Sequence, residues 1–487
     1  MQYVSYNHDE NTVGSHHHKH VAVNSNAIRH LPTKFKDIMA LPEEYKVLLG
    51  AAAASGCDAA AYYIHNSRHG YTLDKYIDLY QANTTFFPDF LEDSEMGGMY
   101  NIPIRTEHGK IKGVVALHAP DNAYNRRESY YHRSAKLNMA QYLLERKSYV
   151  FIGADGKKCA QPADAYDKHS FFTRIVKDMF FSLASIDDHI LPEISRASNA
   201  RALKEAFRKA ITPDTCIQYK HVIGVADLMD YTVAQAINVE TSVLDAAHAE
   251  NMTFMSLLHD LGKTQMPSYI FRKQTAGEVT KEEFEYEIAR NGNHPLFTLL
   301  ILLPYEREAM IGAAHHHGLK RYGALERKSI KARGRVRANF NDFTQLKGKD
   351  IAASKLSPLS RLLRVADVGE SITGSADLPL HEAIRQMATQ VTYDASGNVV
   401  INPDTIDPDA LCFMISAGVF EAYGEQKTGQ DHGWLSAREG IRGQSKYDVQ
   451  QLQDISTRVL ERFGWDKTEI RTLKERAIRA AIAAEHI

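Results

Sequence analysis

From Asn199 onward the chain keeps an apolar rhythm of helical period, and histidines and aspartates break into it beside the apolar runs. His221 leads the run 221–229. His259 and Asp260 follow Phe254, Met255, Leu257 and Leu258. His294 and Pro295 open the run 296–303, His315 and His316 follow Ala313 and Ala314, and Asp367 closes 361–366. Burying any one of these groups unpaired is costly. A single such histidine is most often a hydrogen-bonded core residue. Six or seven His and Asp groups spread over several helical segments have a better explanation. An all-α bundle builds a multi-metal site this way, with ligands projecting inward from facing helices.

The densest part is Leu258-His259-Asp260-Leu261-Gly262-Lys263. Adjacent His and Asp cannot both face a core from one helical stripe, so the pair needs a reason of its own. Imidazole nitrogen and carboxylate oxygen together suit a divalent metal of the Mn, Fe or Zn kind. An aspartate can also bridge two metals, and Lys263, one turn on, can meet a negatively charged substrate.

The rest of the composition narrows the class. With 487 residues, two or three domains are expected. A formal net charge of -2 argues against a generally basic nucleic-acid binder, so nucleic acid is not expected as a partner. Cys57, Cys159, Cys216 and Cys412 lie far apart with no CxxC pair, which fits reduced thiols in a cytoplasm. No apolar stretch approaches membrane-spanning length, and the N-terminus has no basic-then-apolar signal pattern. A cytoplasmic protein without membrane contact is the expectation.

In order, residues 1–35 are polar and read as a disordered tail, His16-His17-His18-Lys19-His20 included. Residues 36–198 read as an α+β regulatory, sensor or dimerisation domain. Ala51 to Ala54 suggest a helix running into a strand at Tyr62 to Ile64. Residues 100–105 and 111–117 read as strands joined by a Gly109-containing hairpin, and 149–152 as a further strand meeting the turn Ala154-Asp155-Gly156. The hairpin resembles that of a GAF-type sensor module; an unrelated α+β dimerisation domain is the equal alternative. Residues 199–420 form the helical domain carrying the His/Asp set. Residues 421–487 read as a C-terminal helical extension that packs on the bundle or pairs with a second copy, which would make a homodimer.

The ordered set in 205–420 resembles the HD superfamily of metal-dependent phosphohydrolases, and within it the HD-GYP phosphodiesterases. The likeness lies in 219–226, in His259-Asp260-Leu261-Gly262-Lys263 with Met266-Pro267, and in Ile270-Phe271-Arg272-Lys273. It continues in Asn293-His294-Pro295, His315-His316, 361–367 and the tail 402–408. The resemblance implies a mainly α protein: an all-α HD-domain bundle behind an N-terminal α+β, GAF-like domain. It implies that His221, His259, Asp260, His294, His315, His316 and Asp367 hold two divalent metals, Fe or Mn with Zn as the alternative. Asp260 and Lys263 would be catalytic, and Lys263, Lys273, Lys320 and Arg321 would meet the substrate. The implied activity is hydrolysis of a cyclic dinucleotide, cyclic di-GMP or 3′,3′-cyclic GMP-AMP, by a hydroxide shared between two metals and regulated by the N-terminal domain. The alternatives are another nucleotide or phosphoester as substrate, or a non-catalytic nucleotide receptor.

Three departures bear on this. Ile217 stands where some members carry a glutamate for a third metal, so two metals are expected. The Gly-Tyr-Pro signature is missing: His315-His316 runs into His317-Gly318-Leu319-Lys320-Arg321. The arginine that family members use on substrate phosphate is Ala376. Between 326 and 349 the chain carries an extra basic segment (Arg327, Lys328, Lys331, Arg333, Arg335, Arg337, Lys347, Lys349), which reads as a solvated loop or as a lid over nucleotide phosphates.

Overall fold

The computed structural model describes residues 28–32, 35–57, 59–66, 70–79, 99–105, 109–118, 130–159, 167–183, 190–210, 217–238, 246–265, 294–305 and 358–371. A two-strand ribbon between 392 and 400 and the single positions 161, 410, 414, 419 and 468 complete the set. Of the described residues, 67% are helical, so the described part is mainly α. Among them no helix is long and apolar enough to cross a membrane.

The N-terminal part is built on one sheet. Strands β1 (Ile28–His30), β2 (Ala59–Asn66), β3 (Gly70–Asp78), β4 (Met99–Arg105) and β5 (Ile111–His118) lie in the order β1-β3-β2-β5-β4. Four of them pair antiparallel, and β1 adds a short parallel edge against β3. The expected β4–β5 hairpin is present, with Ile102 opposite Val115. Strand β2 alternates as a two-sided strand does: Ala60 and Tyr62 join the main core, while Ala59, Ala61 and Tyr63 join a smaller cluster with Leu73, Tyr76 and Ala116.

One expectation fails here. Residues 149–152 are not a strand. Helix α3 (Tyr130–Arg146) runs on into the 3-10 turn Ser148–Val150, and only Ile152 forms a bridge, to Lys158. The amides of Val150 and Phe151 are taken by the carbonyls of Lys147 and Ser148. That tightening buries Val150 and Phe151 in the core, so the apolar pattern serves a turn and not a sheet.

Two helices lie between β1 and β2, α1 (Phe35–Met39) and α2 (Glu43–Ser55). The run Gly50 to Ala54 in α2 is wholly buried because its small side chains admit two neighbours at close range. A Cβ on Gly50 would stand 2.8 Å from Leu143 Cδ2 and 3.1 Å from Leu300 O. Thus α2 lies between α3 and helix α9 (His294–Leu302), and joins the sheet to the helical part.

The helical part continues with α4 (Lys168–Leu183), α5 (Leu191–Arg196), α6 (Ala200–Lys209), α7 (Ile217–Asn238), α8 (Ala246–Leu258) and α10 (Pro358–Glu370). Asn199, where the helical rhythm begins, caps α6: its side chain accepts the Ala202 amide at 2.8 Å. Stacked rings fix how these helices meet. Phe180 of α4 lies 3.9 Å from Phe207 of α6, and both meet Tyr219 of α7 edge-on. Phe172 of α4 packs against Phe254 of α8. The main cluster of buried apolar residues runs without a break from Leu31 to Val419, across the 198/199 boundary.

The expected helix ending at 313–318, the basic segment 326–349, the tail 402–408 and, apart from Thr468, the C-terminal helices lie outside the described residues, as do the N-terminal His tract and Cys216.

Candidate metal centre

Helix α8 ends at Leu258, so His259 and Asp260 sit in a turn before the 3-10 turn Leu261–Gln265 rather than within a helix. This lets two adjacent side chains point into one site, which a continuous helix forbids. Gly262 explains the break. A Cβ there would stand 1.9 Å from His294 O, so only glycine lets this turn lie on the start of α9. Its amide donates to Thr298 Oγ1 at 2.9 Å, and Thr298 in turn donates to His259 O at 3.2 Å. The two ligand-bearing segments are thereby clamped together through backbone.

Four elements then converge. His221 comes from α7, His259 and Asp260 from the turn, His294 from the first residue of α9, and Asp367 from α10. His221, His259 and Asp367 offer ligand atoms that all lie within 4.8 Å of one another. His221 Nε2 lies 3.1 Å from Asp367 Oδ1 and 3.5 Å from Asp260 Oδ2. His259 Nε2 lies 3.1 Å from Asp260 Oδ2 and 3.3 Å from His221 Nε2. His294 Nε2 approaches the other oxygen of Asp260, Oδ1, at 3.0 Å. Lys263 Nζ rests 2.8 Å from Asp260 Oδ2.

The remaining imidazole atoms show which way the lone pairs point. His259 Nδ1 lies 2.7 Å from Ser256 O, and a carbonyl only accepts, so Nδ1 carries the proton. His221 Nδ1 donates likewise to Glu370 Oε2 at 2.5 Å. Both Nε2 lone pairs therefore face each other and two carboxylate oxygens in a buried space. Such a set is repulsive unless a cation fills it. The donor set of imidazole and carboxylate, with each histidine oriented by an outer acceptor, fits a divalent metal of the Fe, Mn or Zn kind.

Without metal, a proton takes the cation's part. Burial alone would push His221 down, but the carboxylates of Asp367 and Glu370 overcome it and raise its pKa to about 10. Burial would likewise raise Asp260, yet the charges of His259 and Lys263 hold it well below the usual carboxylate range.

Of the residues expected from sequence, His221, His259, Asp260, Lys263, His294 and Asp367 come together. His315, His316, Lys273, Lys320 and Arg321 lie outside the described residues, as does Ala376. Two neighbours were given no role from the sequence. Glu370 stands one turn beyond Asp367 on α10, and Arg364 one turn before it, with Nη1 3.4 Å from Asp367 Oδ2. The i, i+3 spacing around Asp367 was the available signal.

No protein-family model matches the chain, and no curated protein or solved structure does.

Proposed function

We propose that the chain is a metal-dependent phosphodiesterase of the HD kind, with a cyclic dinucleotide (cyclic di-GMP or 3′,3′-cyclic GMP-AMP) as substrate. In this reading α6 to α10 form an HD-type bundle, and the sheet with α2 and α3 is a GAF-like regulatory module. The observation that carries it is the double-sided placement of Asp260. Oδ2 faces His221, His259 and Lys263, while Oδ1 faces His294.

His221, His259 and Asp367 would hold one divalent ion. Asp260 Oδ1 and His294 would help hold a second, to which the family resemblance adds His315 and His316. Bound there, Fe or Mn supplies Lewis-acid charge and an activated water. The protein's part is orientation and charge. Ser256 O and Glu370 fix the two ring tautomers so that Nε2 faces inward. Lys263 neutralises charge that builds on the phosphoryl oxygens as the ester bond breaks. The ligand set beside it also favours an enzyme over a non-catalytic nucleotide receptor, since a pure receptor needs no such metal core.

The missing Gly-Tyr-Pro signature and Ala376 favour a second reading, in which the same chemistry acts on another nucleotide or phosphoester. The test uses protein purified without oxygen and loaded with Fe(II) or Mn(II). It is incubated with both cyclic dinucleotides and the products are separated by chromatography, with Asp260→Ala as control. Linear dinucleotide or mononucleotide from the wild type alone is the expected result. No product at full metal occupancy would transfer the assignment to the second reading.

A further inference from the structure

Two cations flank the metal-ligand cluster, and only Lys263 has a role so far. The other is Arg364. Asp367 turns Oδ1 inward, 3.1 Å from His221 Nε2, and Oδ2 toward Arg364 Nη1 at 3.4 Å. An arginine that holds a carboxylate frequently makes two parallel bonds of about 2.7–2.9 Å. Arg364 makes one long contact with Asp367 instead. Its Nε–H is buried and has no hydrogen-bond partner among the described residues. A buried charged donor without an acceptor is unfavourable, and its persistence beside a candidate reaction centre points to an acceptor that arrives with a ligand. The side chain is not sealed off: it keeps 15% of its surface exposed, the same fraction as Lys263.

We propose that Arg364 is a substrate-binding residue. With Lys263 it forms the two cationic walls of a phosphate subsite against the metal centre. Lys263 stands on the Asp260 side and Arg364 on the Asp367 side. A phosphoryl group seated between them takes N–H donors from the guanidinium fork, including Nε, as arginine commonly binds tetrahedral oxyanions. A divalent ion on Asp367 helps, because the ion then carries the carboxylate's charge and leaves the guanidinium to the substrate. This inference rests on the phosphohydrolase reading above and adds a residue to it.

The experiment measures binding rather than turnover. Full-length protein is loaded with Mn(II), its metal content fixed by elemental analysis, and inorganic phosphate is titrated in by calorimetry. Wild type is compared with Arg364→Gln and Arg364→Lys. The expected result is near-normal manganese in all three. Phosphate binding should be weakened about tenfold or more in Arg364→Gln, the loss of a charge-assisted contact, and partly recovered in Arg364→Lys. Two results would overturn the assignment. If manganese affinity falls while phosphate binding per loaded site stays at the wild-type value, Arg364 only positions Asp367. If loaded wild type binds no phosphate, the phosphohydrolase reading fails and the assignment goes with it. Arg364→Lys keeps the charge, so it decides the matter should Arg364→Gln not fold.

Discussion

Helix α7 contributes to two buried polar clusters that solve the same problem differently. Toward α6, Asp227 meets Lys204 at 2.9 Å and Arg208 Nη1 at 2.7 Å. Asp230 meets Lys204 and accepts from Thr253 Oγ1 at 2.7 Å. Two carboxylates face two cations, and although burial opposes its charge, the two aspartates hold the Lys204 pKa above its ordinary value. Toward the turn after α8 and toward α10, His221 joins Asp260, Asp367 and Glu370, with Lys263 against Asp260 and Arg364 against Asp367. Two imidazole lone pairs point into the same space. The first cluster is complete within the chain; in the proposed reading an added cation completes the second. Burial and hydrogen bonding alone do not separate a structural ion pair from a ligand site. The balance of charge and the direction of lone pairs do.

Breaking each cluster should therefore have opposite signatures. Asp260→Ala should abolish turnover and lower metal affinity by more than about 100-fold, since it removes a ligand and not an outer partner. Elemental analysis of the purified variant checks this, and full metal content with full activity would end the site assignment. Asp227→Ala should do the reverse. It removes the carboxylate shared by buried Lys204 and half-buried Arg208, which keep Asp230 and Glu205, and should cost about 1–3 kcal/mol of stability in a urea titration, while bound metal per folded molecule stays at the wild-type value.

Gly262→Ala tests how the second cluster is assembled. With a Cβ 1.9 Å from His294 O, the turn and α9 must separate. The expected loss is about 1–3 kcal/mol of stability, accompanied by weaker metal binding, which a clash elsewhere in the core would not bring. Glu370→Gln is milder: the fold should hold, and metal affinity should fall about 10–100-fold as His221 loses its anionic partner.

The smallest effect is a pH dependence. The His221 pKa of about 10 in the metal-free fold lies above its ordinary 6.5. The imidazolium thus stabilises the apo protein fully below pH 6.5, and that contribution is lost as pH rises toward 10. Metal displaces the proton. Urea midpoints should accordingly fall from pH 7 to 9 with chelator present and stay flatter with saturating Mn(II).

Much of this second cluster was legible in the sequence because its ligands stand beside apolar runs, where the helical period marks them as facing inward. The turn at His259-Asp260 was less so: two adjacent ligands look incompatible with a helix, and the glycine that ends the helix matters only because α9 arrives against it. Glu370 was not read at all, and Arg364 only as part of the run 361–367, without a role. Their i, i+3 spacing about Asp367 is a local signal that ordinary charged helix residues share, and their meaning comes from Asp367 between them and from α7 across the site. In the sheet, β3 was missed because Asp74 and Lys75 interrupt its alternation, and they pair with each other at 2.8 Å. The run 149–152 looked like a strand by composition and became a turn because α3 delivers it to the core.

The central claim is that the cluster on α7, α8, α9 and α10 requires a divalent cation. The most direct measurement is the thermal midpoint of metal-stripped full-length protein, titrated with Mn(II), beside Asp260→Ala and Asp227→Asn. The account expects the wild-type midpoint to climb with metal, by about 4 kcal/mol of stabilisation at a thousandfold excess over Kd. Asp227→Asn should start lower and climb by the same amount, and Asp260→Ala should stay flat. A wild-type midpoint that ignores Mn(II), Fe(II) and Zn(II) alike would contradict the account, and the cluster would then be a proton-bridged structural core.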